Sequence, residues 1–266
     1  MNNLISIRAF SLQLLPILIS LSLLIPIAFS QQSDLLNKVC TNTSQNYTDG
    51  SAYASNLKYL LDDLVKKTPK NNLFWKETSG QGPNDIAYGL ALCRGDVSPD
   101  DCDFCLYDAR CKITQRCHKK SAIVWYDYCQ LKYSDLDFFG HIDNSSDNVW
   151  INVNNVTNRK NSFKEASIGL LSTLSKQASS KGSKYMFARG EKLFSKKNGK
   201  NVTIYGMVQC TRDLSYESCE DCLNGVAKKL PIYDGTIYSE GARVFGASCT
   251  VRYETYPFLN DNKASV

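Results

Sequence analysis

The chain has 266 residues, is 43% hydrophobic, and carries 11 cysteines, 7 prolines and a formal charge of +5. That composition excludes a disordered or collagen-like chain and leaves room for one large domain or two small ones, not for a receptor with its own kinase. Arg8 is the only charge in the first 30 residues, so the remainder holds 30 basic and 26 acidic groups, too even a balance for a nucleic-acid-binding protein.

Residues 1–30 read as a signal peptide. Arg8 precedes an apolar run from Leu14 to Phe29, Pro26 breaks the helix, and Ala28 and Ser30 suit signal peptidase ahead of Gln31. A retained anchor is the competing reading, because the run is nearly long enough to span a bilayer. No second run of that length follows, so the mature chain is expected to have no transmembrane helix and to be secreted. Sequons at Asn42, Asn46, Asn144, Asn155 and Asn201 fit glycosylation in that compartment, where disulfides also persist.

Leu57, Leu60, Leu61, Leu64 and Val65 form one stripe on a 3.6-residue period and predict a helix. Leu73 to Thr78 and Ile86 to Leu92 read as strands divided by Gly82-Pro83-Asn84. Ser98, Pro99, Asp100 and Asp101 supply a cap, a first-turn proline and acids for a second helix, which carries Cys102 and Cys105. Ser121 to Tyr133 reads as a further strand. Its alternation puts Trp125 with Cys129 toward the core and leaves Tyr126 and Tyr128 as an outward pair, fit to stack on a sugar or to bury against a second domain.

After a linker from Ser134 to Trp150 the pattern returns. Cys93, Cys102 and Cys105 are spaced C-x8-C-x2-C, and Cys210, Cys219 and Cys222 repeat that spacing 117 residues later. Each triplet follows a Tyr-Gly pair, Tyr88-Gly89 or Tyr205-Gly206, and Cys129 and Cys249 are each followed four residues on by tyrosine. A helical stripe (Phe163, Ala166, Leu170, Leu171, Leu174), strands at Lys184 to Ala188 and Val202 to Val208 around Asn198-Gly199, and a further strand at Ala242 to Tyr253 complete the second copy. Helices that bury one stripe against an antiparallel sheet predict an α+β fold, two tandem disulfide-stapled domains each with a sheet packed against two helices.

The C-x2-C pairs lie too far apart in sequence for a zinc ribbon, and structural disulfides explain them better than a redox motif. Each bridge contributes about 2–4 kcal/mol in small domains. Cys111 and His118 are the only nucleophile and imidazole close in sequence, and no third residue orients them. The pairs Asp100 with Asp101 and Asp62 with Asp63 sit on predicted helices, where capping and solvation account for them. The chain does not read as an enzyme, and it calls for no cofactor or metal.

The strings Cys93-Arg94-Gly95-Asp96 through Cys105, Ile123 through Cys129, and Arg252-Tyr253-Glu254 through Phe258 resemble the plant cysteine-rich repeat secretory proteins, whose tandem stress-antifungal domains are homologous to ginkbilobin. The resemblance covers residues 40 to 258. It divides the chain into residues 31–137 (first domain), 138–150 (linker), 151–260 (second domain) and 261–266 (tail).

It also implies the pairs Cys40–Cys117, Cys93–Cys102, Cys105–Cys129, Cys210–Cys219 and Cys222–Cys249, with Cys111 left unpaired as a buried small residue, an intermolecular link or a reactive thiol. The implied role is an apoplastic defence or stress protein that binds a mannose-type glycan or fungal mannan. The other reading is an extracellular interaction module whose partner is a receptor ectodomain or similar cysteine-rich protein.

By the same resemblance the mannose ligands are an asparagine after the first cysteine, an arginine six residues before the last and a glutamate five after it. In the second copy these positions hold Arg243 and Glu254, with the asparagine among Asn152, Asn154 and Asn155. In the first they hold Thr41, Ile123 and Ser134. Eleven residues of straight strand span about 36 Å, so Arg243 and Glu254 meet only if the chain turns between them. Gly246 is the expected bend.

Overall fold

The computed structural model describes residues 33–41, 44–115, 117–195 and 201–260, so the signal-peptide reading, the Asn198-Gly199 turn and Asn42 lie outside the described residues. The elements in chain order are β1 (Leu35–Cys40), α1 (Ala52–Lys67), β2 (Phe74–Ser79), β3 (Ala87–Cys93), α2 (Pro99–Thr114), β4 (Ala122–Tyr126) and β5 (Cys129–Ser134). The second copy follows with β6 (Asn148–Ile151), α3 (Lys160–Ala178), β7 (Phe187–Ser195), β8 (Asn201–Cys210), α4 (Tyr216–Ala227), α5 (Pro231–Asp234), β9 (Ala242–Phe245) and β10 (Cys249–Glu254). Ser51, Ser98 and Ser215 cap α1, α2 and α4 by accepting a hydrogen bond from the amide three residues on.

Each copy forms a five-stranded antiparallel sheet, ordered β1-β4-β5-β3-β2 in the first and β6-β9-β10-β8-β7 in the second. The helices cover one face of each. The stripes Leu57, Leu60, Leu61, Leu64 and Phe163, Leu170, Leu171, Leu174 are buried in two separate cores.

The repeated Tyr-Gly pair now has a physical reason. A Cβ on Gly89 would stand 2.9 Å from the Leu60 and Leu64 methyls, and one on Gly206 would stand 3.0 Å from those of Leu170 and Leu174. The glycines let each helix seat its leucine pair on the sheet. Gly89→Ala is therefore expected to cost about 1–3 kcal/mol of overpacking, read as a lowered urea midpoint.

Disulfides join Cys40 to Cys117, Cys93 to Cys102, Cys105 to Cys129, Cys210 to Cys219 and Cys222 to Cys249. Both cysteines of each C-x2-C are thus spent tying α2 or α4 to its sheet. Cys111 remains a free thiol, half-buried on α2.

The structure differs from the predicted elements at Ser121 to Tyr133 and at Ala242 to Tyr253, each of which is a hairpin of two strands rather than one. The reversal at Asp127-Tyr128 resets the alternation. Tyr126 and Tyr128 belong to the first core, while Trp125 leaves it and packs with Ile123, Phe245 and Ala247 between the two sheets. The outward tyrosine pair is therefore corrected to an inward one. β1 and β6 also escaped prediction, β6 because it straddles the end of the stretch assigned to the linker.

Candidate functional site

The sheet faces turned away from the helices pack against each other. Trp125 Nε1 donates to the Gly246 carbonyl at 2.9 Å, Gln130 to Ala247 at 3.1 Å, and Gln209 to Cys93 at 3.0 Å. Gly95 lies flush on the Phe187 ring, where an added Cβ would come within 2.5 Å of it.

The predicted sugar ligands sit in this interface. Gly246 bends the chain by donating to the Cys249 carbonyl at 3.0 Å, and the resulting β9–β10 pairing sets Arg243 opposite Arg252, with Glu254 two residues beyond. The turn between Arg243 and Glu254 is thus present. Neither side chain is open to solvent: Arg243 is 16% exposed and Glu254 8%.

Arg243 donates to Asp127 Oδ1 at 2.7 Å and Arg252 donates to the same oxygen at 3.1 Å, while Arg94 reaches Asp127 Oδ2 at 2.9 Å. Arg94 also grips Asp96 with two hydrogen bonds, at 2.6 and 3.0 Å, and Arg252 Nε holds Glu254 Oε1 at 3.1 Å. Three guanidiniums and three carboxylates balance in this cluster, and Arg94, Arg243, Arg252 and Asp127 line a residual cavity of about 60 Å³. Trp150 and Phe258 cap Arg243 and Arg252, with ring centroids 4.9 and 4.1 Å away.

Of the asparagines, Asn152 donates its backbone N–H to the Gly241 carbonyl at 2.8 Å, and Gly241 leaves no room for a Cβ beside the Glu254 carboxylate. The charges of both proposed ligands are engaged within the protein, Arg243 by an aspartate of the other copy and Glu254 by Arg252. Sequence reasoning missed Asp127, Arg94 and Arg252 as members of this cluster, since nothing in their spacing links Arg94 to Asp127 or ties Asp127 to arginines 116 and 125 residues away.

Burial opposes the charge on Asp127, but the guanidiniums of Arg252, Arg94 and Arg243 override it and hold the carboxyl below its usual pKa. A depressed folded pKa contributes stability that is complete above the unfolded carboxylate value and is lost as pH falls through the folded one. Acid titration of unfolding should therefore show stability falling below the ordinary aspartate range, and the fall should be shallower in Asp127→Asn.

The matching positions of the first copy present a different picture. Thr41 and Ser134 line an open cavity of about 420 Å³ with Ser44, Gln45, Asn84, Lys120, Ser121 and Asp135, and Pro83, Ile86 and Leu136 complete its lining. Its rim is braced by backbone. Thr41 donates its amide to Ser121 at 3.0 Å and Lys120 donates its own to Gln45 at 2.8 Å. Ile123, the third matching position, is buried between the sheets instead.

The remaining candidates disperse. His118 turns to Asp49 at 3.6 Å and to the Tyr47 ring, and Asp62 pairs with Arg110. Asn46, Asn144, Asn155 and Asn201 are all exposed. Among the described residues no helix is long and apolar enough to cross a membrane.

A family model described as salt stress response/antifungal matches residues 39–136 and 151–256, one match for each sheet. The chain belongs to this family. Cysteine-rich repeat secretory protein 38 of Arabidopsis thaliana is 43% identical over 232 residues, covering 86% of this chain and 88% of that protein. An antimicrobial ginkbilobin-2-like protein of Castanea crenata is 44% identical over 220 residues, covering 82% and 86%. Among solved structures, the tandem DUF26 ectodomain of the Arabidopsis thaliana cysteine-rich receptor-like protein PDLP8 superposes with a TM-score of 0.68. It is 24% identical, with 84% of this chain and 99% of that one covered, so this stress-antifungal tandem shares its fold.

Proposed function

We propose that this chain is a secreted defence or stress protein that acts by binding rather than by catalysis, and that it takes a mannose-type sugar in the first-domain cavity. The observation that carries this reading is the cavity itself. It has the volume of a small-ligand site, and residues with hydroxyls, amides, one ammonium and one carboxylate line it beside three apolar side chains, the mixture of donors and acceptors that a polyol needs. The corresponding ligand positions of the second copy support the placement by contrast, since Arg243 is already bound to Asp127. The secretory and antimicrobial names of the relatives agree with an extracellular role.

Calorimetric titration of the full secreted chain with mannose and mannan tests the proposal. Heat that disappears in Asp135→Ala and persists in Glu165→Ala, a surface change in the second domain, is the expected result. No heat at millimolar sugar, or heat indifferent to Asp135→Ala, would overturn it.

A further inference from the structure

The two sheets present four edge strands, β1, β2, β6 and β7. Three of them carry charged side chains: Lys38 on β1, Lys76 and Glu77 on β2, and Arg189, Glu191 and Lys192 on β7. Such charges guard an edge against pairing with another chain. β6 alone has none, and the uncharged run continues from Asn148 to Val156 without a proline. Its apolar side chains Val149, Trp150, Ile151 and Val153 are 40%, 43%, 39% and 91% exposed.

The backbone of β6 is equally available. Asn152 bonds Gly241 and Trp150 stands opposite Arg243, so alternate residues turn their amides and carbonyls inward to β9. Val149 and Ile151 direct theirs outward. Trp150 is ordered in advance, held edge-on to Phe245 at 5.5 Å and under the Arg243 guanidinium. A fixed, part-exposed tryptophan is the kind of side chain that anchors protein interfaces.

We infer that the outer edge of β6 pairs antiparallel with β6 of a second copy of this chain, joining two five-stranded sheets about a two-fold axis. The identity of the occupant follows from the charge pattern. Around a two-fold axis a strand lies against itself, so any charge near the axis meets its own copy, and β6 is the one edge where that repulsion is absent. A charged extended peptide would find no counter-charge along the same strand.

Sedimentation equilibrium of the secreted protein, glycosylated and enzymatically deglycosylated, from micromolar to hundreds of micromolar and with and without reductant, tests this. The expected result is a reversible, reductant-insensitive dimer in at least one of the two forms. Ile151→Lys should weaken it at least tenfold with circular dichroism unchanged, and Val149→Lys should do the same. A monomer in both forms throughout the range, a dimer that reductant dissolves, or a dimer that both lysine variants leave intact would overturn the inference.

Discussion

Replacing Asp127 by alanine should cost about 3–5 kcal/mol, because it leaves buried guanidiniums without the carboxylate that neutralises them. Asp127 accepts from Arg94, Arg243 and Arg252, one from its own sheet and two from the other. Arg94 keeps Asp96 and Arg252 keeps Glu254 after the substitution, whereas Arg243 loses its ion pair and keeps only the longer-range charge of Glu254. The loss therefore falls chiefly on the inter-sheet contact. Urea unfolding of Asp127→Ala beside the parent protein measures it, and a stability within about 0.5 kcal/mol of the parent, the range of ordinary surface substitutions, would show that the cluster does not hold the sheets together.

Trp125→Ala should have an effect of similar size for a different reason. The indole is 2% exposed, packs edge-on to Phe245 at 5.8 Å, and gives its only N–H to the Gly246 carbonyl. Truncation removes the largest apolar side chain between the sheets and leaves that carbonyl without its donor, a change that costs about 3–5 kcal/mol in a packed core. Had Trp125 belonged to the core of its own domain, the loss would leave the second copy's unfolding untouched. Its place between the sheets predicts instead that hydrogen exchange at the β9–β10 turn accelerates as well, and protected amides there in the variant would contradict it.

The sequence reading and the fold agree where the information is local. The stripes of α1 and α3 declare themselves through leucines at helical spacing, and Ser98-Pro99-Asp100-Asp101 announces the start of α2. The doubled cysteine spacing made the tandem plain. The hairpin at Asp127-Tyr128 was not legible, because β-branched and aromatic residues run through the turn without glycine or proline, and one missed reversal inverts every later face of a strand. β1 and β6 were hidden for a related reason: edge strands need only short, half-exposed segments, and these two carry no clear alternation. The ion cluster lay furthest from view. Arg243 and Glu254 were legible as a pair that a bend could bring together, but the aspartate that claims Arg243 comes from the other copy, and only docking of the two sheets brings it there.

That docking is the claim on which the account rests, and a double-mutant cycle between the copies measures it most directly. Unfolding free energies of the parent, Asp127→Asn, Arg243→Gln and the double variant should give a coupling of at least about 1 kcal/mol, as expected for residues in one buried ionic network. Additive effects, agreeing within about 0.5 kcal/mol, would mean that Asp127 and Arg243 do not meet in solution and that Arg243 is free for a ligand after all.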